Sequence, residues 1–276
     1  MRIARFATAG QDPAYGIIEL AVDGGDHPDT ISTLTGDPLA GVPVNYTGER
    51  HDLAAVRLLA PVIPRSKVVG VGRNYAEHAA EMGNELPSAP LLFFKPNTAV
   101  IGPDETILRP EGCTDLHFEG ELAVVIGSRR TSSGRDVYCK QVPVEQAAEW
   151  IFGYTIANDV TARDWQAADD QWARAKGSDT FLPLGPWINT HVPLEEAASL
   201  TIETRVGDEV KQSGSTSQMV HGIAELVSYI SASITLLPGD IILTGTPAGV
   251  GPMVPGDEVH VSIDGLGTLS NPVAEA

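Results

Sequence analysis

Residues 117 to 127, HFEGELAVVIG, place two glutamates one residue apart at the head of an otherwise apolar run. Successive side chains in a strand point to opposite faces, so Glu119 and Glu121 share one face, with Cα atoms roughly 6.5 to 7 Å apart. Leu122, Val124 and Ile126 then alternate on the other face. Two like charges side by side on a buried strand are costly unless something cationic sits between them. Two readings stay open: an exposed edge strand with both carboxylates in water, or a pair converging on one ion.

The rest of the composition narrows the field. A chain of 276 residues, 42% hydrophobic and 20% charged, suits one large domain, or one main domain with a small companion, and a sizeable core. Its 28 glycines and 20 prolines predict a loop-rich, β-rich body. The net charge of −18 argues against nucleic acid and anionic membrane as partners, because phosphate binding relies on clustered Lys and Arg. It also means that a carboxylate-bearing substrate needs a local cation or metal. No run approaches the roughly 20 apolar residues of a membrane span, and MRIARFATAG lacks a secretory core. Cys113 and Cys139 match no metal or redox spacing and are expected to be free thiols in a reducing cytoplasm.

Along the chain, residues 1–60 read as short strands and loops: RIARFATAG, YGIIELAVDG, DTISTLTG. A strand is expected from Ser66 to Val71. NYAEHAAEMG predicts a short helix, with Asn74 as N-cap and Gly83 as the stop. VPVEQAAEWIF reads as helical, GYTIANDV as a strand, and TARDWQAADDQWARAKG as wholly or partly helical up to Gly177. TIETRVGDEVKQSGS reads as a hairpin turning at Gly207-Asp208, and SQMVHGIAELVSYISASITLL as a helix. The tail is strand and turn, with its two Pro-Gly-Asp triplets forming similar turns. SRRTSSGRDVYCKQV reads as an exposed loop. GVGRNY lacks the third glycine and the strand–helix–strand setting of a dinucleotide site, and LTGTPAGVG lacks the ending of a phosphate loop.

A third carboxylate, Asp159, falls at the end of GYTIANDV. With Glu119 and Glu121 it would form an all-oxygen site suited to Mg²⁺, Mn²⁺ or Ca²⁺ and unsuited to zinc; alternatively it caps the following helix. His78 and Glu81 stand three apart on one helix face. That is either a solvated pair or an imidazole whose tautomer and basicity a carboxylate sets for general-base work. Arg163, Gln166 and Lys176 lie near enough in sequence to grip a substrate carboxylate. The competing reading is an acidic helix balancing its own charge through Arg163 and Arg174.

NYAEHAAEMG, LLFFKPNTAVIGP, DLHFEGELAVVIG, YTIANDVTARDWQ, AKGSDTFLPLGPWI, LTGTPAGVG and PGDEVHVSIDGLGTLSNPV occur in the order seen in the fumarylacetoacetate hydrolase family. The resemblance spans about residues 60 to 272 and is nearest to bacterial members with a small N-terminal domain. It implies a mixed β-sandwich roll, a β-rich α+β fold, with a β-rich domain over residues 1–60 and a catalytic domain over 61–276. It also implies a homodimer. Carried over, Glu119, Glu121 and Asp159 become metal ligands, His78 and Glu81 the water-activating pair, and Lys176 the lysine near the metal. Arg163, Gln166 and Thr246 fall where substrate contacts lie. The 128–142 loop looks longer than the usual connection.

The expected activity is hydrolysis of a C–C bond in a small 2-oxo acid of the acylpyruvate or fumarylpyruvate type, in aromatic catabolism, through an enolate chelated by Mg²⁺ or Mn²⁺. The retained His–Glu pair is the reason to prefer hydrolysis. The alternatives share the enolate: an isomerase of the 2-hydroxyhepta-2,4-diene-1,7-dioate or 5-carboxymethyl-2-hydroxymuconate type, or an oxaloacetate decarboxylase. A non-catalytic, metal-stabilised ligand-binding protein is the rival from a different class.

Overall fold

Strand Gly120–Ile126 is buried along its whole length and lies inside a twelve-stranded sheet. The exposed-edge reading of the two glutamates therefore falls. The computed structural model describes residues 1–21, 28–130 and 136–276. The 128–142 stretch thus lies partly outside the described residues; within it, Arg129–Arg130 pairs antiparallel with Asp136–Val137.

Along the large sheet the strand order is Tyr46–Asp52, Thr30–Leu34, Ala14–Glu19, Arg2–Ala7, Leu182–Asn189, Ile151–Asn158, Gly120–Ile126, Ile241–Leu243, Val68–Gly72 and Leu91–Lys95. Arg57–Leu59 and Val100–Ile101 pair onto it from the side. The first four strands are continuous with the rest through the register Arg2↔Asn189 and Ile3↔Ile188. A five-stranded sheet, built on the hairpin Thr201–Val206 and Glu209–Ser215 with Glu258–Ile263, Gly267–Glu275 and Ile107–Arg109, covers one face. The fold is the expected sheet-rich α+β class, with few and short helices.

The alternation along Gly120–Ile126 separates two cores. Leu122, Val124 and Ile126 pack with Ile202 and Val261 of the second sheet and Ile230 of helix Ile223–Ser233. Ala123 and Val125, on the Glu121 side, pack with Leu184, Ile241 and Leu243. Strands buried on both faces read as unbroken apolar runs, which is why AVVI shows no polar alternation.

Several expectations shift on inspection. The 116–126 run is two strands, Leu116–Phe118 and Gly120–Ile126, in different sheets. The break falls at Glu119, whose N–H donates to Asn158 Oδ1 at 2.9 Å and whose carbonyl accepts from Asp159 N at 2.8 Å. The first helix is Ala76–Glu81, capped by Tyr75 without a side-chain bond. Asn74 is not its N-cap: its amide donates to His221 O (3.0 Å) and Thr244 O (2.8 Å), tying the turn to the distant 221 and 244 backbone. Gly83 does end the helix, at φ +67°. Val144–Trp150 is 3-10 rather than α-helical. Residues 161–177 form two short helices, Arg163–Ala168 and Ala173–Gly177, joined where Asp169 accepts two bonds from Arg174 (2.6 and 2.8 Å). The Pro-Gly-Asp turns are indeed alike: Leu237 N donates to Asp240 Oδ2 at 2.8 Å and Val254 N to Asp257 Oδ2 at 2.7 Å.

The glycine between the glutamates has a steric cause. With Glu119 and Glu121 turned to one side, residue 120 faces the second sheet, where a Cβ would lie 2.3 Å from Thr204 Oγ1 and 2.9 Å from Val261 Cγ1. Gly120→Ala is expected to cost about 1–3 kcal/mol through overpacking. At about 2–4 °C per kcal/mol in a chain of this size, thermal unfolding reads that directly. An unchanged melting temperature would refute the close approach.

Candidate functional site

Glu119, Glu121 and Asp159 arrive at one point from two neighbouring strands. Glu119 and Glu121 flank the start of Gly120–Ile126, and Asp159 follows the end of Ile151–Asn158, which pairs with it antiparallel at Gly120↔Asn158. One carboxylate oxygen from each lies within 4.8 Å of the others, and all three residues are buried. They border a cavity of about 560 Å³ that His78, Arg163, Gln166, Lys176 and Thr246 also line.

Cations are distributed unevenly over this triad. Lys176 Nζ donates to Glu119 Oε2 (2.7 Å) and Asp159 Oδ2 (2.6 Å). Arg163 donates to Glu119 Oε1, and its other terminal nitrogen to Gln166 Oε1 at 2.9 Å. Lys95 Nζ, wholly buried, donates to Asp159 Oδ1. Among the described residues Glu121 has no such ion pair; it accepts the Gly245 N–H at 2.7 Å. Burial pushes the Glu119 carboxyl up, but Lys176 and Arg163 more than reverse this and hold it below the ordinary carboxylate range. Glu121 goes the other way: burial, then the charges of Asp159 and Glu119, push it well above that range. Burial lowers the Lys176 ammonium, yet Asp159 and Glu119 outweigh it and leave it raised. Lys176 is therefore a standing positive charge.

Three buried carboxylates, one without a counter-charge of its own, fit a hard divalent cation with oxygen ligands. The alternative role for Asp159 falls, since helix Arg163–Ala168 begins after Ala162 without a side-chain cap. The charge-balancing reading of the following segment divides: Arg174 pairs with Asp169, whereas Arg163 turns into the site.

His78 lies on helix Ala76–Glu81 with its Nδ1 3.3 Å from Glu81 Oε2. Gly249 N–H reaches both Glu81 oxygens, at 3.1 and 3.2 Å, so the carboxylate that orients the imidazole is itself held. With Nδ1 engaged, Nε2 is the nitrogen available to a bound molecule. Thr246 donates its hydroxyl to Gly120 O at 2.8 Å and accepts from Gln212 Nε2 at 2.7 Å, bracing the strand that carries the glutamates.

Sequence reasoning missed four participants. Lys95 ended an apolar strand in LLFFKP, a signal that does not say which way its ammonium turns. Asn158, Gln212 and the glycine-rich loop gave none: Gly245 and Gly249, at φ +94° and +97°, act through their backbone amides.

Comparisons with known proteins place the chain in a family. Residues 67–274 match the model of the fumarylacetoacetate (FAA) hydrolase C-terminal domain, and residues 1–61 that of the Rv2993c-like N-terminal domain. Protein Rv2993c of Mycobacterium tuberculosis is 50% identical over 275 residues, covering 99% of this chain and 98% of that one. The oxaloacetate tautomerase YisK of Bacillus subtilis is 41% identical over 234 residues, 81% of this chain and 75% of that one. The crystal structure of 5-carboxymethyl-2-hydroxymuconate delta-isomerase from Mycobacterium smegmatis superposes with a TM-score of 0.86 at 46% identity, covering all of both chains. On the family match over three quarters of its length, together with those relatives, the chain belongs to the fumarylacetoacetate hydrolase family.

Proposed function

We propose that the chain is a divalent-metal-dependent enzyme that moves a proton on a small 2-oxo acid, by keto–enol tautomerisation or double-bond migration. The observation carrying this reading is a single cavity bordered by both the carboxylate triad and His78, which the Glu81 carboxylate orients. Glu119, Glu121 and Asp159 would hold Mg²⁺ or Mn²⁺. When bound, the ion supplies Lewis acidity that polarises a 2-oxo group and stabilises negative charge at its oxygen. His78 would take and return the proton at Nε2, with Glu81 stabilising the imidazolium. Lys176, kept as an ammonium, would offset the charge that develops beside it. The proposal extends, on family resemblance, to a cytoplasmic homodimer.

The relatives' names favour proton transfer over hydrolysis, which the sequence reading placed first: one is a tautomerase and one an isomerase. Hydrolysis stands second on one observation, the held His–Glu pair, which would serve equally to activate water against a distal carbonyl.

The test is a panel of enol oxaloacetate, acetylpyruvate and fumarylpyruvate, with Mn²⁺ and after chelation, for the wild type and His78→Ala. Expected is metal-dependent conversion of the enol, about 10²- to 10⁴-fold slower in His78→Ala. Pyruvate release from an acylpyruvate would transfer the reading to hydrolysis. Conversion that survives chelation would defeat it.

A further inference from the structure

Arg73 borders the same cavity and is half-buried. The other cations there are committed: Arg163 to Glu119 and Gln166, Lys176 to Glu119 and Asp159. Among the described residues the Arg73 guanidinium has no hydrogen bond or ion pair with another side chain. Its backbone is left-handed, at φ +57°, a conformation uncommon for a long side chain and one that persists where the surroundings impose it, often at ligand sites. Both neighbours are fixed. A Cβ on Gly72 would stand 3.0 Å from the Trp172 ring, and Asn74 is bonded to the 221 and 244 backbone. The turn thus holds an uncommitted cation at the cavity of a chain whose net charge is −18.

We propose that Arg73 recognises the distal carboxylate of a 2-oxo diacid and so sets a preference for dianionic over monoanionic 2-oxo acids. This rests on the 2-oxo acid reading above. Glu119, Glu121 and Asp159 are formally balanced by Lys95, Arg163 and Lys176. The carboxylate beside the 2-oxo group belongs with the ion; a second carboxylate needs its own partner. An arginine meets that need with two parallel N–H donors.

The test is calorimetric titration of the Mn²⁺-loaded protein with pyruvate, 2-oxoglutarate and 2-oxoadipate, joined by the KM for oxaloacetate. In the wild type at least one diacid is expected to bind about 10-fold or more tighter than pyruvate, the range of a charge-assisted hydrogen bond. Arg73→Gln should bring the diacids to the pyruvate level and leave pyruvate within about 2-fold. Arg73→Gly, which suits the left-handed backbone, should lose the same preference and melt no lower than the wild type. Equal weakening of pyruvate and diacids, no diacid preference in the wild type, or a lower melting temperature for Arg73→Gly would each overturn the assignment. Failure of the wild type to bind pyruvate at all would instead overturn the 2-oxo acid reading, and this inference with it.

Discussion

Glu121→Gln is expected to abolish turnover while making the metal-free protein more stable. Glu121 is 2% exposed, accepts one backbone N–H, and faces Asp159 and Glu119. Because its folded carboxyl is raised, the native state binds this proton more tightly than the unfolded chain does. Without metal, stability therefore falls as pH climbs from the ordinary carboxylate range towards the raised value, and stays low above it. Glutamine keeps the shape and removes the charge. The metal-free variant should melt about 3 °C or more above the metal-free wild type at pH 8, with the gap closing towards pH 4. Adding Mn²⁺ should reverse the order, since only the wild type gains stability by binding it. Turnover should drop by at least about 10³-fold, roughly 4 kcal/mol of lost transition-state stabilisation. A metal-free variant that melts lower at pH 8, or one that keeps the Mn²⁺ shift, would contradict the role of Glu121.

The second large effect belongs to a residue outside the lining of the site cavity. Lys95 side-chain exposure is 0%, and its Nζ holds Asp159 Oδ1 and approaches Val160 O at 3.3 Å. Burial draws the Lys95 ammonium down, and Asp159 only partly restores it. Such pairs are costly to form and costlier to break; without Lys95, three buried carboxylates would face only Arg163 and Lys176. Lys95→Met is expected to lose about 3–5 kcal/mol, or roughly 6–20 °C in melting temperature. The double variant Lys95→Met/Asp159→Asn should recover more than about 1 kcal/mol of that loss, since two buried carboxylates would then face two cations. Unfolding of all three variants in guanidinium measures the coupling. Additive losses would mean that the two side chains do not act as a pair.

The glutamate pair was legible because a strand's period puts alternate residues together and because charge inside an apolar run demands a reason. Asp159 was legible for the second reason only. Lys95 was not, since a lysine's long aliphatic stem commonly lines apolar surface with its ammonium in water; nothing local says that this one turns inward. The strand Leu182–Asn189 escaped for a different cause. Pro183 and Pro186 argue against a central strand, yet the register against Ile151–Asn158 runs Tyr154↔Asn189 and then Ile156↔Gly185, an irregularity that carries Pro186 past the ladder. Asn74 misled because an asparagine before a helix is ordinarily its cap, and only the tertiary structure shows it bonded to residues 221 and 244. The targets of the Gly245 and Gly249 amides lie 124 and 168 residues away in sequence, beyond any local pattern.

Those separations also bear on the order in which the molecule assembles. Strand Gly120–Ile126 is flanked by Ile151–Asn158 on one side and Ile241–Leu243 on the other, and the loop after the latter supplies the amide on Glu121 and the hydroxyl under Gly120. Contacts so distant along the chain close late and slowly, because loop entropy is lost before the packing compensates. A nascent chain halted before residue 241 would already carry all three carboxylates, yet one edge of their strand would be open to pairing with another molecule. The acidic centre is thus closed only once the chain beyond residue 241 is in place, so an ion held there would bind carboxylates that the fold has already set.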